Sequence, residues 1–200
     1  DMEKAFKFRI YPNKTQQVLL QKTFGCTRYI YNHFLAKRIE LYKQDKSSMS
    51  YNQCSKELTV LKQELTWLKE PDKDALQKSL KDLDVAYKNF FARPEAGFPK
   101  FKSKHDRHKS YRTSYTNGNI KFLGKKIQLP KLGKVKTKDK RTQLEGRILN
   151  ATVSQEPNGE YYVSICCTDV LMVDLEPVNH NAGIDLGLKE FAIASDGTKY

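Results

Sequence analysis

The stretch that most directly determines the fold runs from Arg147 to Thr168 and reads RILNATVSQEPNGEYYVSICCT. Apolar and polar residues alternate on both sides of Pro157-Asn158-Gly159, and a period of two is typical of half-buried strands. An Asn-Gly pair between two such runs favours a tight turn. These residues therefore predict a β-hairpin with strands over Arg147–Gln155 and Glu160–Thr168.

Shorter runs of the same kind precede the hairpin. They cover Ser110–Tyr115, Ile120–Leu123 and Lys126–Leu129, with glycines and prolines between them. Ala5–Tyr11 alternates in the same way, and it needs a partner because a single strand is not stable alone. Short strands separated by turn residues indicate a small barrel. We expect five to seven strands in this barrel, including Ala5–Tyr11.

The segment between the first strand and the later ones has a helical period. Apolar residues recur three and four positions apart through residues 14–93. The clearest apolar stripe consists of Leu76, Leu80, Leu83 and Tyr87. We predict four helices, with Asn13 or Thr15 capping the first, Gly25 ending or bending it, and Ser50 capping the third. The fold class is therefore α+β, a barrel interrupted by an inserted four-helix unit.

Positive charge is concentrated in one part of the chain. The formal net charge is +13, and residues 101–150 alone carry 15 basic and 3 acidic residues, whereas residues 151–200 carry 2 basic and 8 acidic ones. A basic block of this density indicates binding to a polyanion such as nucleic acid. A solvated basic loop is the alternative.

Basic and aromatic residues interleave at the start of this block. The basic residues expected to contact nucleic-acid backbone are Lys100, Lys102, Lys104, Arg107, Lys109 and Arg112, and the rings among them are Phe98, Phe101, Tyr111, Tyr115 and Phe122. Lysine and arginine neutralise phosphates, while aromatic rings can stack on bases. We expect about half of the rings to belong to the core of the barrel instead.

The cysteines and histidines do not predict a metal site. The four cysteines are Cys26, Cys54, Cys166 and Cys167, and none forms a C-x-x-C pair, so we expect free thiols. His105 and His108 lie three residues apart without acidic or cysteine partners in register, and we expect them to contact phosphate or solvent. The sequence has no run of 18 apolar residues and no recognisable signal peptide, which predicts a soluble intracellular protein.

A second hairpin is predicted near the end, over Ala182–Leu186 and Phe191–Ser195. Asp185 faces away from its apolar neighbours, and the residues beside it on that face are glycines, so a phosphate or Mg²⁺ could approach it closely. An aspartate that only starts a turn is an equal alternative. Gly-Ile-Asp-Leu-Gly also opens actin-like ATPases and sugar kinases, but Leu188-Lys189 replaces the Thr or Ser expected there.

Several short motifs occur together and in a fixed order. They are Phe8-Arg9-Ile10-Tyr11-Pro12, Tyr31-Asn32-His33-Phe34, Ala86-Tyr87-Lys88-Asn89-Phe90-Phe91, Gly97-Phe98-Pro99-Lys100-Phe101-Lys102, Tyr115-Thr116-Asn117, Leu129-Pro130-Lys131-Leu132-Gly133 and Gly183-Ile184-Asp185-Leu186-Gly187. With this combination the chain resembles TnpB, the OrfB protein of bacterial insertion sequences and a relative of the type V CRISPR effectors. The resemblance covers residues 4–199, and the combination is far more specific than any single motif.

The resemblance implies a domain organisation. It implies a wedge-type β-barrel over residues 3–13 and 94–176, a helical recognition domain over residues 14–93, and the start of an RNase H-like RuvC nuclease domain over residues 181–200. The implied protein is an RNA-guided DNA endonuclease of the bacterial cytoplasm. Its implied partners are a guide RNA derived from the transposon end and double-stranded target DNA.

The resemblance also implies a catalytic residue. Asp185 matches one of three acidic residues that hold two Mg²⁺ ions in the family, so it is the expected catalytic and metal-binding residue. The other two acidic residues, and a zinc ribbon between them, are expected beyond Tyr200. We therefore interpret the chain as an N-terminal fragment that binds nucleic acid without cutting it.

In this family a short transposon-adjacent DNA motif is read by polar groups of the helical domain and the barrel. The matching positions here are Tyr51, Ser55, Lys73, Gln77, Thr116 and Asn117. Tyr51 and Ser55 are one helical turn apart, as are Lys73 and Gln77, so each pair shares a face that can enter a groove. The second pair would equally suit a solvated helix flank.

Two functions of another class stay open. The chain could belong to a nuclease-silent, RNA-guided DNA-binding repressor, or it could be a plain DNA-binding module. Such relatives keep the binding domains and lose the acidic residues, and Asp185 is only one of the three.

Overall fold

The computed structural model describes residues 2–170 and two short strands at residues 184–185 and 193–194. The strands are β1 (Met2–Tyr11), β2 (Lys109–Ser114), β3 (Lys121–Phe122), β4 (Lys126–Leu129), β5 (Gly133–Thr137), β6 (Arg147–Gln155), β7 (Tyr161–Val170), β8 (Ile184–Asp185) and β9 (Ile193–Ala194). The helices are α1 (Lys14–Asp45), α2 (Tyr51–Glu64) and α3 (Lys73–Ala92), with 3₁₀ turns at Thr66–Lys69 and Pro94–Ala96. The predicted α+β class is confirmed.

Strands β1 to β7 form one antiparallel sheet in the order β2-β6-β7-β1-β5-β4-β3. The hairpin predicted from residues 147–168 is confirmed as β6 and β7, with Gln155 opposite Tyr161. Gly159 in its turn has φ 84°, a conformation that glycine adopts without steric cost. The first strand of the chain, β1, lies in the middle of the sheet, with β7 on one side and β5 on the other.

The sheet is open, so the predicted barrel is wrong for the described strands. Within residues 2–170, β2 and β3 are the two edges and do not pair with each other. A barrel needs long, tilted strands at its seam, and β3 has only two residues. Helices cover the apolar face instead, because Leu20, Phe24 and Ala75 belong to the same core as the strand residues. Alternation identifies a buried face but not what covers it.

The core of the sheet follows the predicted alternation. Phe6, Phe8 and Ile10 of β1 are buried, while the residues between them face solvent. The strand that the sequence did not predict is β5, where two lysines alternate with Val135 and Thr137. Its low apolar content hid a strand that is nevertheless half-buried.

Helix α1 is continuous for 32 residues. Asn13, one of the two predicted caps, begins it. The Gln16 backbone N–H donates to Asn13 Oδ1 at 2.8 Å, and the Asn13 backbone N–H donates to Gln16 Oε1 at 3.0 Å. The Gln16 Nε2 group also donates to the carbonyls of Leu132 and Lys134, each at 3.1 Å, and so joins the start of α1 to β5.

The predicted helix break at Gly25 is wrong. Gly25 lies within α1. Apart from its chain neighbours and the surrounding helix backbone, no atom lies within 4 Å of the point that a Cβ would occupy. The residues on both sides of it, Phe24 and Cys26, are buried in the sheet core and the helical core respectively. Packing on both sides therefore outweighs the low helix propensity of one glycine.

The helical part of the chain contains three α-helices rather than the predicted four, because the first two predicted helices are both part of α1. Ser50 caps α2, as predicted, and Asp72 caps α3. The predicted apolar stripe is confirmed, since Leu76, Leu80, Leu83 and Tyr87 are all buried. No helix in residues 2–170 is long and apolar enough to cross a membrane.

All four cysteines are free, as predicted. Cys26, Cys54 and Cys167 are buried, and Cys166 is half-buried. Burial raises the pKa of Cys26 to about 11, with a smaller contribution from the Glu70 carboxylate. This thiol is therefore protonated and unreactive at neutral pH.

A Gly25→Ala substitution tests the continuity of α1. Alanine has the higher helix propensity, and the space for its methyl group is open, so the substitution should stabilise the chain by about 0.5–1 kcal/mol. For a chain of this size the midpoint of thermal unfolding should rise by about 2–4 °C. Gly118→Ala is the matched control and should destabilise, because Gly118 has φ 74°. A lower midpoint for Gly25→Ala would show that the helix ends or bends there.

Candidate nucleic-acid interface

Three of the predicted DNA-reading residues meet at the contact between α2 and α3. The Tyr51 hydroxyl donates to Gln77 Oε1 at 3.1 Å, and the Ser55 hydroxyl donates to the same oxygen at 3.0 Å. All three side chains are half-buried. The helical spacing that paired Tyr51 with Ser55 is therefore confirmed, and α3 brings Gln77 to both of them.

This arrangement determines what Gln77 can still bind. Two hydroxyl donors use both lone pairs of its Oε1 atom. The Nε2 group makes no hydrogen bond within residues 2–170, so it keeps two free donors. Gln77 can thus donate to an acceptor on a base edge, such as guanine O6 or N7 or thymine O4. The lone pairs of the Tyr51 and Ser55 hydroxyls stay available as acceptors.

Lys73, one turn before Gln77, borders a separate basic cavity of about 350 Å³. The charged residues around this cavity are Lys62, Lys69, Asp72, Lys73 and Lys131. Partial burial and the nearby Lys73 ammonium lower the pKa of Lys62, which Asp72 only partly offsets. Four ammonium groups with a single carboxylate favour an anion in this cavity.

The predicted loop residues Thr116 and Asn117 are exposed. Asn117 has φ 50° in a turn where Asn119 Oδ1 accepts from the Thr116 backbone at 2.8 Å. The preceding end of β2 is attached to the start of α3, because Ser114 N donates to Asp74 Oδ2 at 2.6 Å. The loop therefore begins beside the first turn of α3, which carries Lys73.

The six predicted phosphate contacts divide into two groups. Lys100, Lys104 and Arg107 are exposed on the segment between α3 and β2. The other three already have partners within the chain: Lys102 Nζ lies 4.3 Å from the Tyr31 ring centroid, Lys109 Nζ donates to Gln21 at 3.2 Å, and Arg112 pairs with Asp82 of α3. Burial lowers the pKa of Lys102.

The rings of the same segment divide as predicted between core and surface. Tyr111 is buried and Phe122 packs against the sheet core. Burial raises the pKa of the Tyr111 hydroxyl. Phe98, Phe101 and Tyr115 are 46%, 57% and 41% exposed. These three rings are available to stack on bases.

The sheet also carries a basic surface that was not predicted from the sequence, which we call the lysine face. Tyr11 of β1, Lys136 of β5 and Lys126 of β4 lie directly beside one another across three strands. With Lys125 and Lys138 they line a shallow cavity of about 400 Å³. Lys138 Nζ lies 5.0 Å from the centroid of the Tyr11 ring. The alternation of lysine with Val135 and Thr137 was the available signal.

The residues described by the structure contain no group of three His, Cys, Asp or Glu side chains that could hold a metal ion. His108 Nε2 lies 3.9 Å from Glu156 Oε1, and His105 is exposed. The proposed metal ligand Asp185 lies in β8, where its backbone is opposite Ile193 of β9. Its side chain is outside the described part of the chain.

Comparison with known proteins gives three relatives. The chain is 35% identical over 199 residues to "Putative RNA-guided DNA endonuclease InsQ" of Escherichia coli (strain K12). The aligned region covers 98% of this chain and 48% of that protein. It is 31% identical over 202 residues to "Putative RNA-guided DNA endonuclease" of Streptomyces pristinaespiralis, with 99% and 49% covered. It is 33% identical over 114 residues to "Virulence protein VsdF" of Salmonella dublin, and the alignment covers 52% of this chain and 96% of that protein.

A domain match points to the same family. Residues 2–47 match a "Helix-turn-helix domain" of the OrfB IS605 type. The chain belongs to the TnpB family. It spans about half the length of the two TnpB relatives named after endonucleases.

The description of the matched TnpB domain differs from its geometry here. Residues 2–47 contain β1 and the continuous helix α1, without a turn between two helices. A helix-turn-helix places a short second helix in the major groove. In this TnpB chain α1 instead packs into both cores with residues along its length, from Leu20 to Leu35. The polar residues predicted to read DNA are on α2, α3 and the loop after β2 instead.

Proposed function

We propose that this TnpB chain is the nucleic-acid-binding part of a transposon-encoded, RNA-guided DNA endonuclease. In this proposal it binds a guide RNA derived from the transposon end, together with double-stranded DNA next to a short motif. The main supporting observation is the lysine face. The names of the two long relatives support the RNA-guided endonuclease, and the contact between Tyr51, Ser55 and Gln77 supports motif reading.

The lysine face has the properties of a phosphate-binding surface. Residues 121–137 contain six lysines and no acidic residue. Lys126 and Lys136 are directly opposite in the β4–β5 ladder, and like charges in that position destabilise a sheet. A bound polyanion would remove this repulsion. Tyr11 in the same row offers a ring on which a base or sugar could pack.

The salt dependence of binding tests the proposed role of the lysine face. A double variant, Lys126→Gln with Lys136→Gln, should bind a labelled RNA hairpin with a log–log salt slope that is smaller by about 0.7–0.9 for each lost phosphate contact. Fluorescence anisotropy between about 50 and 200 mM salt would measure this slope. Lys56→Gln with Lys88→Gln removes the same charge from the helices and is the control. Equal slopes for both double variants would contradict the proposal.

Gln77 is proposed to read the transposon-adjacent motif through its two free donors. In a full-length, guide-loaded protein that contains this chain, Gln77→Ala should reduce the preference for one base pair of the motif by about tenfold. This is the discrimination that one good base contact provides. Selection from a library of adjacent sequences would measure the relaxation. RNA affinity should stay unchanged, and Gln63→Ala, an exposed glutamine on α2, is the control. An equal loss of RNA binding would indicate a folding defect instead.

Asp185 is proposed as one carboxylate ligand of the nuclease site. Mg²⁺ prefers hard oxygen ligands, and a carboxylate on a strand is a rigid one. A pair of such ions would activate water and stabilise the leaving oxygen of a DNA phosphodiester. One carboxylate holds hydrated Mg²⁺ weakly, so the proposed site needs further oxygen ligands beside Asp185.

An Asp185→Ala substitution tests this assignment. In a full-length protein that contains this chain, it should abolish cleavage of the guide-matched DNA while leaving RNA and DNA binding intact. Glu64→Ala removes an exposed carboxylate from α2 and should leave cleavage unchanged. The 200-residue chain alone should bind nucleic acid and cut nothing, with or without Mg²⁺. Full cleavage by the Asp185→Ala protein would refute the site, and absence of cleavage by the unsubstituted protein would favour the nuclease-silent repressor.

A further inference from the structure

A cavity of about 420 Å³ is distant in sequence from the lysine face. It lies between the last turns of α1 and the end of α3, and we call it the aromatic cavity. Its rings are Tyr42, Tyr87, Phe90, Phe91 and Phe98, and the polar residues around them are Arg38, Lys43, Lys46, Ser47 and Ser48. An exposed apolar site of this kind on a highly charged chain indicates a ligand.

The rings present edges and faces to an open space. Phe98 meets Tyr87 and Phe90 edge-on, with centroids 5.6 and 5.4 Å apart. Phe91 is 77% exposed, although phenylalanine is a large apolar side chain of the kind that is usually buried. Core packing accounts for Tyr87, which is buried, but not for Phe91. The position of Phe91 suits a flat partner that would stack on it.

Arg38 is the second, independent observation at this cavity. Its guanidinium carbon lies 4.1 Å from the centroid of the Tyr87 ring, and its Nε atom is buried without a hydrogen-bond acceptor. Within residues 2–170 the guanidinium has no carboxylate partner. Arg38 as a whole is only half-buried and lines the cavity, so a ligand there that offers an acceptor to the guanidinium would be favoured.

The lysines at the rim are partly explained by the helix end itself. Lys43 lies in the last turn of α1 and Lys46 is its C-cap, where positive charge offsets the helix dipole. Arg38 lies about two turns earlier, so that explanation does not cover it. The three cations together make the rim positive beside an apolar interior.

We propose that the aromatic cavity binds the base of an unpaired nucleotide, with its phosphate on Lys43 and Lys46. This inference rests on the proposed function, because it names one part of the nucleic acid and its site. A base has a flat face for Phe91 and acceptor atoms in the plane of its ring for Arg38. An apolar peptide side chain would satisfy the rings but leave the guanidinium without an acceptor, so the base is the better match.

The experiment uses the 200-residue chain and a short single-stranded RNA that carries one 2-aminopurine. Stacking in the cavity should quench the fluorescence of this base. Phe91→Ala should weaken binding by about tenfold, as expected for one lost base–ring contact, and should leave the salt slope unchanged. Arg38→Lys keeps the charge but removes the planar group, and it should also reduce both affinity and quenching. Val85→Ala, at an exposed apolar position of the same helix, is the control and should do neither.

The outcomes separate this inference from the proposed function. The cavity assignment would be overturned if RNA binding depended on salt but did not quench the probe, and if Phe91→Ala and Val85→Ala bound RNA with equal affinity. The proposed function would then still stand. Absence of any RNA binding would overturn both. Binding of an acidic, aromatic peptide that depends on Phe91 and Arg38, without quenching of the RNA probe, would assign the cavity to a protein partner instead. Circular dichroism would verify that each variant is folded. If Phe91→Ala does not fold, Arg38→Lys still tests the cavity assignment.

Discussion

The pairing of β1 with strands on both of its sides is the interaction on which the rest of the described structure depends. Without β1 the sheet would separate into β2-β6-β7 and β5-β4-β3. Phe6 pairs with Ile165, so this contact closes a chain segment that includes all three helices. Closing such a segment costs entropy before its contacts form, which makes it a slow, non-local step in folding. Asn13 caps α1 directly after β1, so the position of β1 also sets the direction of the helices.

The same pairing determines where charge lies on the surface. Tyr11, Lys136 and Lys126 form a row only because β1, β5 and β4 are held in one register. A shift of β5 by one residue would move its lysines towards the core and Val135 into solvent. The burial of Val135 therefore keeps the lysine face in place, so this row of lysines depends on the stability of the core.

Local chemistry was the predictable part of this fold. The β6–β7 hairpin, the caps Asn13 and Ser50, and the apolar stripe of α3 depend on residues close in sequence, and all are as expected. The open sheet and the intact α1 depend on tertiary packing, which outweighed the glycine at residue 25. At the candidate site, helical spacing related Tyr51 to Ser55 and Lys73 to Gln77. It could not show that α2 and α3 bring the first pair to Gln77, or that three adjacent strands form a lysine face, because these contacts are distant in sequence.

The unbroken α1 has a consequence for the size of any ligand. Gln16, in its first turn, is bonded to β5, and Tyr42, near its last turn, borders the aromatic cavity. At 1.5 Å per residue these two points are roughly 40 Å apart, which equals about 11 to 12 steps of 3.4 Å along one strand of a duplex. A helix with a bend at Gly25 would allow this distance to vary. The continuous helix makes it constant. Under the proposed function, a nucleic-acid strand that contacts both ends of α1 would therefore have to span one fixed distance.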